Sequence, residues 1–294
     1  MVSIITPSFN QGRFIEDTIL SVKNQDYPNI EHIIVDGGST DNTLEILKKY
    51  ESTYNMRWIS ELDEGQADAI DKGFKMAKGS ILAWLNSDDY YLHNKVISKV
   101  VSYFDLYKNA HVVTGNGYYV DEKGKFLSPI VVKKDLINLK YMRYADFMLQ
   151  PSTFFKKEVL DKVSIDKQYV YAFDWLFFLK IFEEGFNVLV VDDFLSAYRR
   201  HSAHKTGEDN ARRKKEIAMV AKRNFGAFSL QTAYCYGIYW LYAFSELLPR
   251  PLGTRFKVFV RGLNLIMSRI TFTGYILAKI EKKLTSFKYQ KTEG

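Results

Sequence analysis

Short apolar runs and helix-spaced apolar positions alternate along the first 115 residues of the chain. The runs Val2–Thr6, Glu31–Asp36, Met56–Glu61, Ser80–Asn86 and Ala110–Gly115 read as strands. Between them, Phe14, Thr18 and Val22 share one helical face, as do Leu44, Leu47 and Tyr50. Ala69, Ile70, Phe74 and Ala77 repeat the spacing, and so do Val96, Val100 and Phe104. Strands that alternate with short helices predict βαβ units, hence a mostly parallel α/β sheet covered by helices on both faces. Such crossovers are right-handed, which gives a doubly wound, Rossmann-like sheet whose ligands sit beyond the carboxyl ends of the strands.

The pattern changes after residue 117. Asp121-Glu122-Lys123-Gly124, set between Tyr118–Val120 and Phe126–Val132, reads as a hairpin turn. Helices are expected near Lys156–Lys162 and Phe173–Glu184, and a short strand over Asn187–Val191. Farther on, no charged residue occurs between Arg223 and Glu246, a stretch long enough to cross a bilayer. It carries Asn224, Gln231 and Thr232 and is crowded with Tyr rather than Leu, so helices lying in the membrane interface fit it better than a span. Trp240, Tyr242, Phe244, Arg250, Arg255, Lys257, Arg261 and Arg269 would make the contacts, unless these helices simply pack on the rest of the chain. The expected organisation is a body over 1–210, with halves at 1–117 and 118–210, and a C-terminal helical extension over 211–294.

Composition sharpens this picture in three places. The net charge of +7 over 294 residues hides an asymmetry: from Arg199 onward 19 basic residues face 6 acidic ones, while residues 1–198 are net acidic. A basic, aromatic tail suits an anionic membrane surface, and no nucleic acid is expected as its partner. Aromatic residues reach 15%, with 20 Tyr and 21 Phe, and require somewhere to pack. Cys235 is the single cysteine, which excludes an internal disulfide and a cysteine-rich zinc site. With no basic leader or long apolar run at the amino terminus, a cytoplasmic protein bound peripherally to the inner membrane face is expected.

Candidate chemistry gathers at the strand tips. Thr6-Pro7-Ser8-Phe9-Asn10 follows the first strand and Asp36-Gly37-Gly38-Ser39-Thr40-Asp41 the second. Asp63-Glu64-Gly65-Gln66-Ala67-Asp68 follows the third, and Asn86-Ser87-Asp88-Asp89 the fourth. Carboxylates brought to one crevice repel unless a cation joins them, and oxygen ligands at one corner suit Mg²⁺ or Mn²⁺. Neither GxxxxGK[ST] nor a GxGxxG after the first strand is present, which points away from P-loop and dinucleotide enzymes. A diphosphate bound here would be neutralised mainly by the metal.

These segments, in order, resemble a family 2 glycosyltransferase of the GT-A fold, of the bacterial cell-envelope polysaccharide type. Further matches are Gly65-Gln66-Ala67-Asp68-Ala69, Gln150-Pro151-Ser152-Thr153-Phe154-Phe155, Tyr171-Ala172-Phe173-Asp174-Trp175 and Tyr198-Arg199-Arg200-His201, so the resemblance covers about residues 1–210. It implies that Thr6, Pro7 and Asn10 line the nucleotide base. Asp36 would meet base or ribose, or else cap the turn before the next helix. Asp68 would hold sugar or ribose, or else serve a helix dipole. Asn86, Asp88 and Asp89 occupy the DxD position with Asn in place of the first acid. Asp88 and His201 are then the implied metal ligands, with Asp89 and His204 in support, and Arg199 and Lys205 near the diphosphate. Asp174 matches the general base of inverting members, its alternative being a helix cap. The acids that often flank this position are replaced by Phe173 and Leu176. Gln150 and Trp175 fall on the acceptor side.

The activity implied is metal-dependent, inverting transfer of a hexosyl-type sugar. Its donor would be a nucleotide-diphospho-sugar, a UDP-sugar above all, and its acceptor a hydroxyl of a glycan or lipid-linked carrier in cell-surface polysaccharide synthesis. A nucleotidyltransferase and a catalytically inactive nucleotide-sugar-binding scaffold are the rival readings. Release of intact UDP rather than pyrophosphate separates the first rival from the transferase.

Overall fold

The computed structural model describes residues 1–201 and 210–270, with side chains as far as 262. The chain forms two compact units, Met1–His204 and Lys205–Gly294. In the first, β1 (Val2–Ser8), α1 (Ile15–Lys23), β2 (Ile30–Asp36), α2 (Thr43–Tyr50), β3 (Met56–Ser60), α3 (Gln66–Met76) and β4 (Ile81–Trp84) follow the alternation in the sequence. Then come β5 (Tyr90–Tyr91), α4 (Val96–Leu106), β6 (Val112–Val120), β7 (Phe126–Ile130), α5 (Leu139–Met142), β8 (Thr153–Lys156), α6 (Phe173–Glu183) and β9 (Val188–Arg199).

The sheet order is β3-β2-β1-β4-β8-β6-β9-β5, with β7 hairpinned onto β6. Strands β3, β2, β1 and β4 run parallel; β8 enters antiparallel between β4 and β6, and β9 pairs parallel with β6. Consecutive residues point to opposite faces. Ile4, Ala83 and Phe154 pack with Val22 of α1 and with Val96, Val100 and Phe104 of α4. Their neighbours Trp84 and Phe155 face Phe74 of α3 and Phe177 of α6. Helices therefore cover both faces, and α6 supplies the aromatic half of the core.

Three local expectations change. Lys157–Asp161 forms a 3-10 helix rather than an α-helix, and the preceding Thr153–Lys156 is a strand. The strand expected over Asn187–Val191 instead runs twelve residues, Val188–Arg199, and so delivers Arg199 and His201 to the site. The strand expected to end at Gly115 continues to Val120 as one arm of the hairpin.

The second unit contains α7 (Ala211–Phe225), α8 (Leu230–Leu247) and α9 (Arg250–Ile270) around Ala211, Ile238, Tyr242 and Val260. Asn210 caps α7 by accepting from Arg213 N, and Ser229 caps α8 by accepting from Thr232 N. Among the described residues no helix is long and apolar enough to cross a membrane.

Candidate active site

The tips of β1 and β2 are tied together. Asn10 adopts φ 52°, donates from its backbone N to Ser39 Oγ at 2.7 Å, and accepts from Thr40 N at 2.9 Å. Asp36, fully buried, accepts from Ser39 N, Ser39 Oγ, Gly38 N and Ser60 Oγ. Gly38 takes φ 82°, which a side chain would resist, and this lets the loop curl back over that carboxylate. Asp36 thus builds the turn. Thr6 lies buried, its hydroxyl 2.9 Å from His32 Nε2, and burial lowers the His32 pKa to about 3. Pro7 is buried beside it, whereas Phe9 is 58% exposed. Among the described residues, Ser8 Oγ and Gln11 Oε1 are buried without a hydrogen-bond partner.

Asp68 opens α3 and is held by Lys167 at 2.7 Å and Lys72 at 3.2 Å. The Lys167 contact above all lowers its pKa to about 2. At the end of β4, Asn86 accepts from Gln66 Nε2 at 2.8 Å and donates to Gln150 Oε1 at 3.1 Å. Gln150, buried, donates in turn to the Trp84 carbonyl. Asp88 Oδ2 stands 3.0 Å from His201 Nε2, and the imidazole is buried with its ring against Phe14, centroids 4.6 Å apart. Asp89 is turned inward. It accepts from Arg199 N at 2.9 Å, and burial, reinforced by the Asp88 charge, raises its pKa well above the carboxylate range.

Arg199 is expected at the diphosphate, yet its side chain is only 2% exposed. The guanidinium lies about equally far from the Phe14 and Tyr90 rings, at 5.0 and 5.2 Å. It donates to Asp17 Oδ2, to the Asp88 carbonyl and to the Glu122 carbonyl. With every arm engaged, Arg199 positions Asp88 and, two residues on, His201. Lys205 and His204 lie outside the described residues.

Asp174 occupies the first turn of α6, where the helix dipole favours negative charge, and accepts from Trp175 N at 2.7 Å. The buried Trp175 indole donates to the Met142 carbonyl at 2.6 Å, anchoring α6 to α5. Sequence reasoning missed Asp146. Its pKa is pushed well above the usual range, first by burial and then by the charge of Asp174. The Asp146–Gln150 loop thus has one end within electrostatic reach of Asp174 and the other bonded to Asn86. A signal for Asp146 existed only in reverse, in the acids missing around Asp174.

The donor set can be tested for a divalent ion. Asp88 Oδ2 and His201 Nε2 stand at the separation of two neighbouring ligands on an octahedral ion with bonds of about 2.1 Å. One carboxylate oxygen and one imidazole nitrogen suit Mn²⁺. Among the described residues no group of three His, Cys, Asp or Glu side chains could hold a metal. The pair fits such an ion as a partial site.

The strand tips thus bring together an Asp–His pair and the Asn86–Gln150 contact, with Asp174 on the first turn of α6. The model of the family Glycosyl transferase family 2 matches residues 3–207, and the chain belongs to that family. TuaG of Bacillus subtilis, a glycosyltransferase provisionally assigned to teichuronic acid biosynthesis, is 43% identical over 98 residues, or 33% of this chain and 39% of TuaG. TarP of Staphylococcus aureus, a poly(ribitol-phosphate) β-N-acetylglucosaminyltransferase, is 31% identical over 174 residues, 56% of this chain and 51% of its own. The chain therefore matches only about half or less of these relatives' length. Residues 1–349 of S. aureus TarS, solved with UDP-GlcNAc, match with a TM-score of 0.63 at 18% identity, covering 85% of this chain and 82% of that one. The mannosyltransferase PcManGT from Pyrobaculum calidifontis, solved with GDP-Man and Mn²⁺, gives 0.60 at 16% identity, covering 96% and 86%. These two likenesses establish a shared GT-A-like fold.

Proposed function

We propose that the chain transfers a hexosyl-type sugar, with inversion, from a nucleotide-diphospho-sugar to a hydroxyl of a glycan or lipid-linked acceptor in cell-surface polysaccharide synthesis. The single observation that carries this reading is the Asp88–His201 pair at the end of β4, linked through Asn86 and the Asp146–Gln150 loop to Asp174. UDP is the favoured carrier, in keeping with the UDP-GlcNAc complex of TarS and with the polymers named for TuaG and TarP.

In this reading Phe9, Ser8 and Gln11 receive the base, and Asn10 with Asp36 keeps that tip closed. Asp68, already neutralised by its lysines, aligns the sugar or ribose side. Asp88 and His201 would hold Mn²⁺ or Mg²⁺, which when bound supplies the positive charge that stabilises a departing diphosphate. Asp174 accepts the acceptor hydroxyl's proton on the face opposite the leaving group as that oxygen attacks the anomeric carbon. Asp146 resists ionising, first because it is buried and then because of the Asp174 charge. Trp175 and Gln150 fix the acceptor side from behind. A donor with an α-linked sugar gives a β product.

Turnover of UDP-sugars with Mn²⁺, read as release of intact UDP, tests this. Pyrophosphate release would indicate a nucleotidyltransferase, and no turnover despite donor binding would indicate a binding scaffold.

A further inference from the structure

Among the described residues, the outward side of α8 is exposed. Leu230, Ala233, Gly237, Trp240, Phe244 and Leu247 are all exposed. They follow one another at intervals of three and four residues, so they form one stripe about 27 Å long down the helix. The opposite side, with Thr232, Ile238, Tyr242 and Ser245, is buried. Among the described residues the helix thus exposes its apolar edge and buries its other one, the reverse of an ordinary surface helix. Phe228, in the connection before it, is fully exposed as well.

We propose that this stripe is a docking surface for an anionic lipid bilayer, on which α8 lies flat. Charge selects the occupant. The exposed Lys222 and Arg223 precede the stripe, and the exposed Arg250 and Arg255 follow it. Between Arg212 and Arg261 the only acids are Glu216 and Glu246. Glu216 is buried, while Glu246 accepts from Ala211 N and from Lys257 Nζ. A second copy would bring the same positive charge against this face, whereas anionic headgroups neutralise it. The Trp and Phe rings supply the amphipathic and apolar contacts of an interfacial helix, and no described helix can cross a bilayer. The inference stands on unit Lys205–Gly294 alone and is independent of the transfer reaction.

The test uses the full chain with vesicles of phosphatidylcholine alone or with about one third phosphatidylglycerol. Cosedimentation is expected only with the anionic vesicles and weakens as salt rises. Trp240, at 64% the exposed member of a set in which Trp84 and Trp175 are buried, should shift its emission to the blue on binding, and Trp240→Phe should abolish that shift. Trp240→Ser with Phe244→Ser, and separately Arg250→Glu with Arg255→Glu, should each weaken vesicle binding at least about tenfold while UDP-sugar turnover in solution is unchanged. Equal binding to neutral vesicles, or wild-type binding by both double variants, overturns the proposal. So does a solution dimer that the aromatic pair of substitutions dissociates. None of these results bears on whether Asp174 catalyses transfer.

Discussion

Two carboxyls that interact, Asp146 and Asp174, start from similar chemistry but stand in different surroundings. Asp174 lies on the first turn of α6, while Asp146 is burdened by burial and by its neighbour's charge. If Asp174 is the base, as proposed, Asp174→Asn should cut kcat by about 10²–10⁴ with donor affinity kept, while Asp146→Asn should stay within a few-fold. Equal losses in steady-state kinetics would remove the division of labour. Arg199 makes a second case. Lysine keeps its charge but lacks the fork that reaches Asp17 and two carbonyls at once. Arg199→Lys should weaken Mn²⁺ binding, followed by electron paramagnetic resonance, about tenfold, and unchanged Mn²⁺ affinity would reduce Arg199 to a prop of the fold. Asp36, Asp88 and His201 were legible as candidates because strand ends and motif order mark them. The burial of Arg199 was not, since Phe14, Asp17, Tyr90 and Glu122 come from distant parts of the chain.

At the scale of elements, the parallel half of the sheet is written in the alternation of short apolar runs with helical spacing. Strand β8 is not: four residues, TFFK, carry too little periodicity, and their strand character comes from pairing with β4 and β6. The length of β9 was hidden for a related reason, because it continues past Asp192-Asp193, where its register with β6 shifts and Asp193 is held by Lys99 and Tyr103 of α4. Helix α3 shows how closely such elements meet. A Cβ on Gly73 would fall 2.3 Å from Ile5 Cγ2 on β1. Alanine would gain up to about 1 kcal/mol in helix propensity, but forcing the helix off the sheet costs about 1–3 kcal/mol. Gly73→Ala is expected to lower stability in urea unfolding, and a rise would mean that α3 does not sit against β1 as described.

Taken whole, the molecule resolves both compositional oddities of its sequence. Much of the aromatic surplus goes into the layer under α3 and α6, where Trp84 stacks on Phe178 with centroids 5.4 Å apart, and more of it lines α8. The charge asymmetry separates along the same division as the two compact units: an acidic unit that carries the strand tips and a basic unit that carries the exposed stripe. The central claim concerns the first of these, namely that a nucleotide diphosphate is held through a divalent ion on Asp88 and His201. Calorimetric titration of UDP into the wild type and Asp88→Ala, each with and without Mn²⁺, tests it most directly. Mn²⁺ should tighten UDP binding to the wild type by at least about tenfold and leave the variant's affinity unchanged. Binding of equal strength in all four titrations would contradict it.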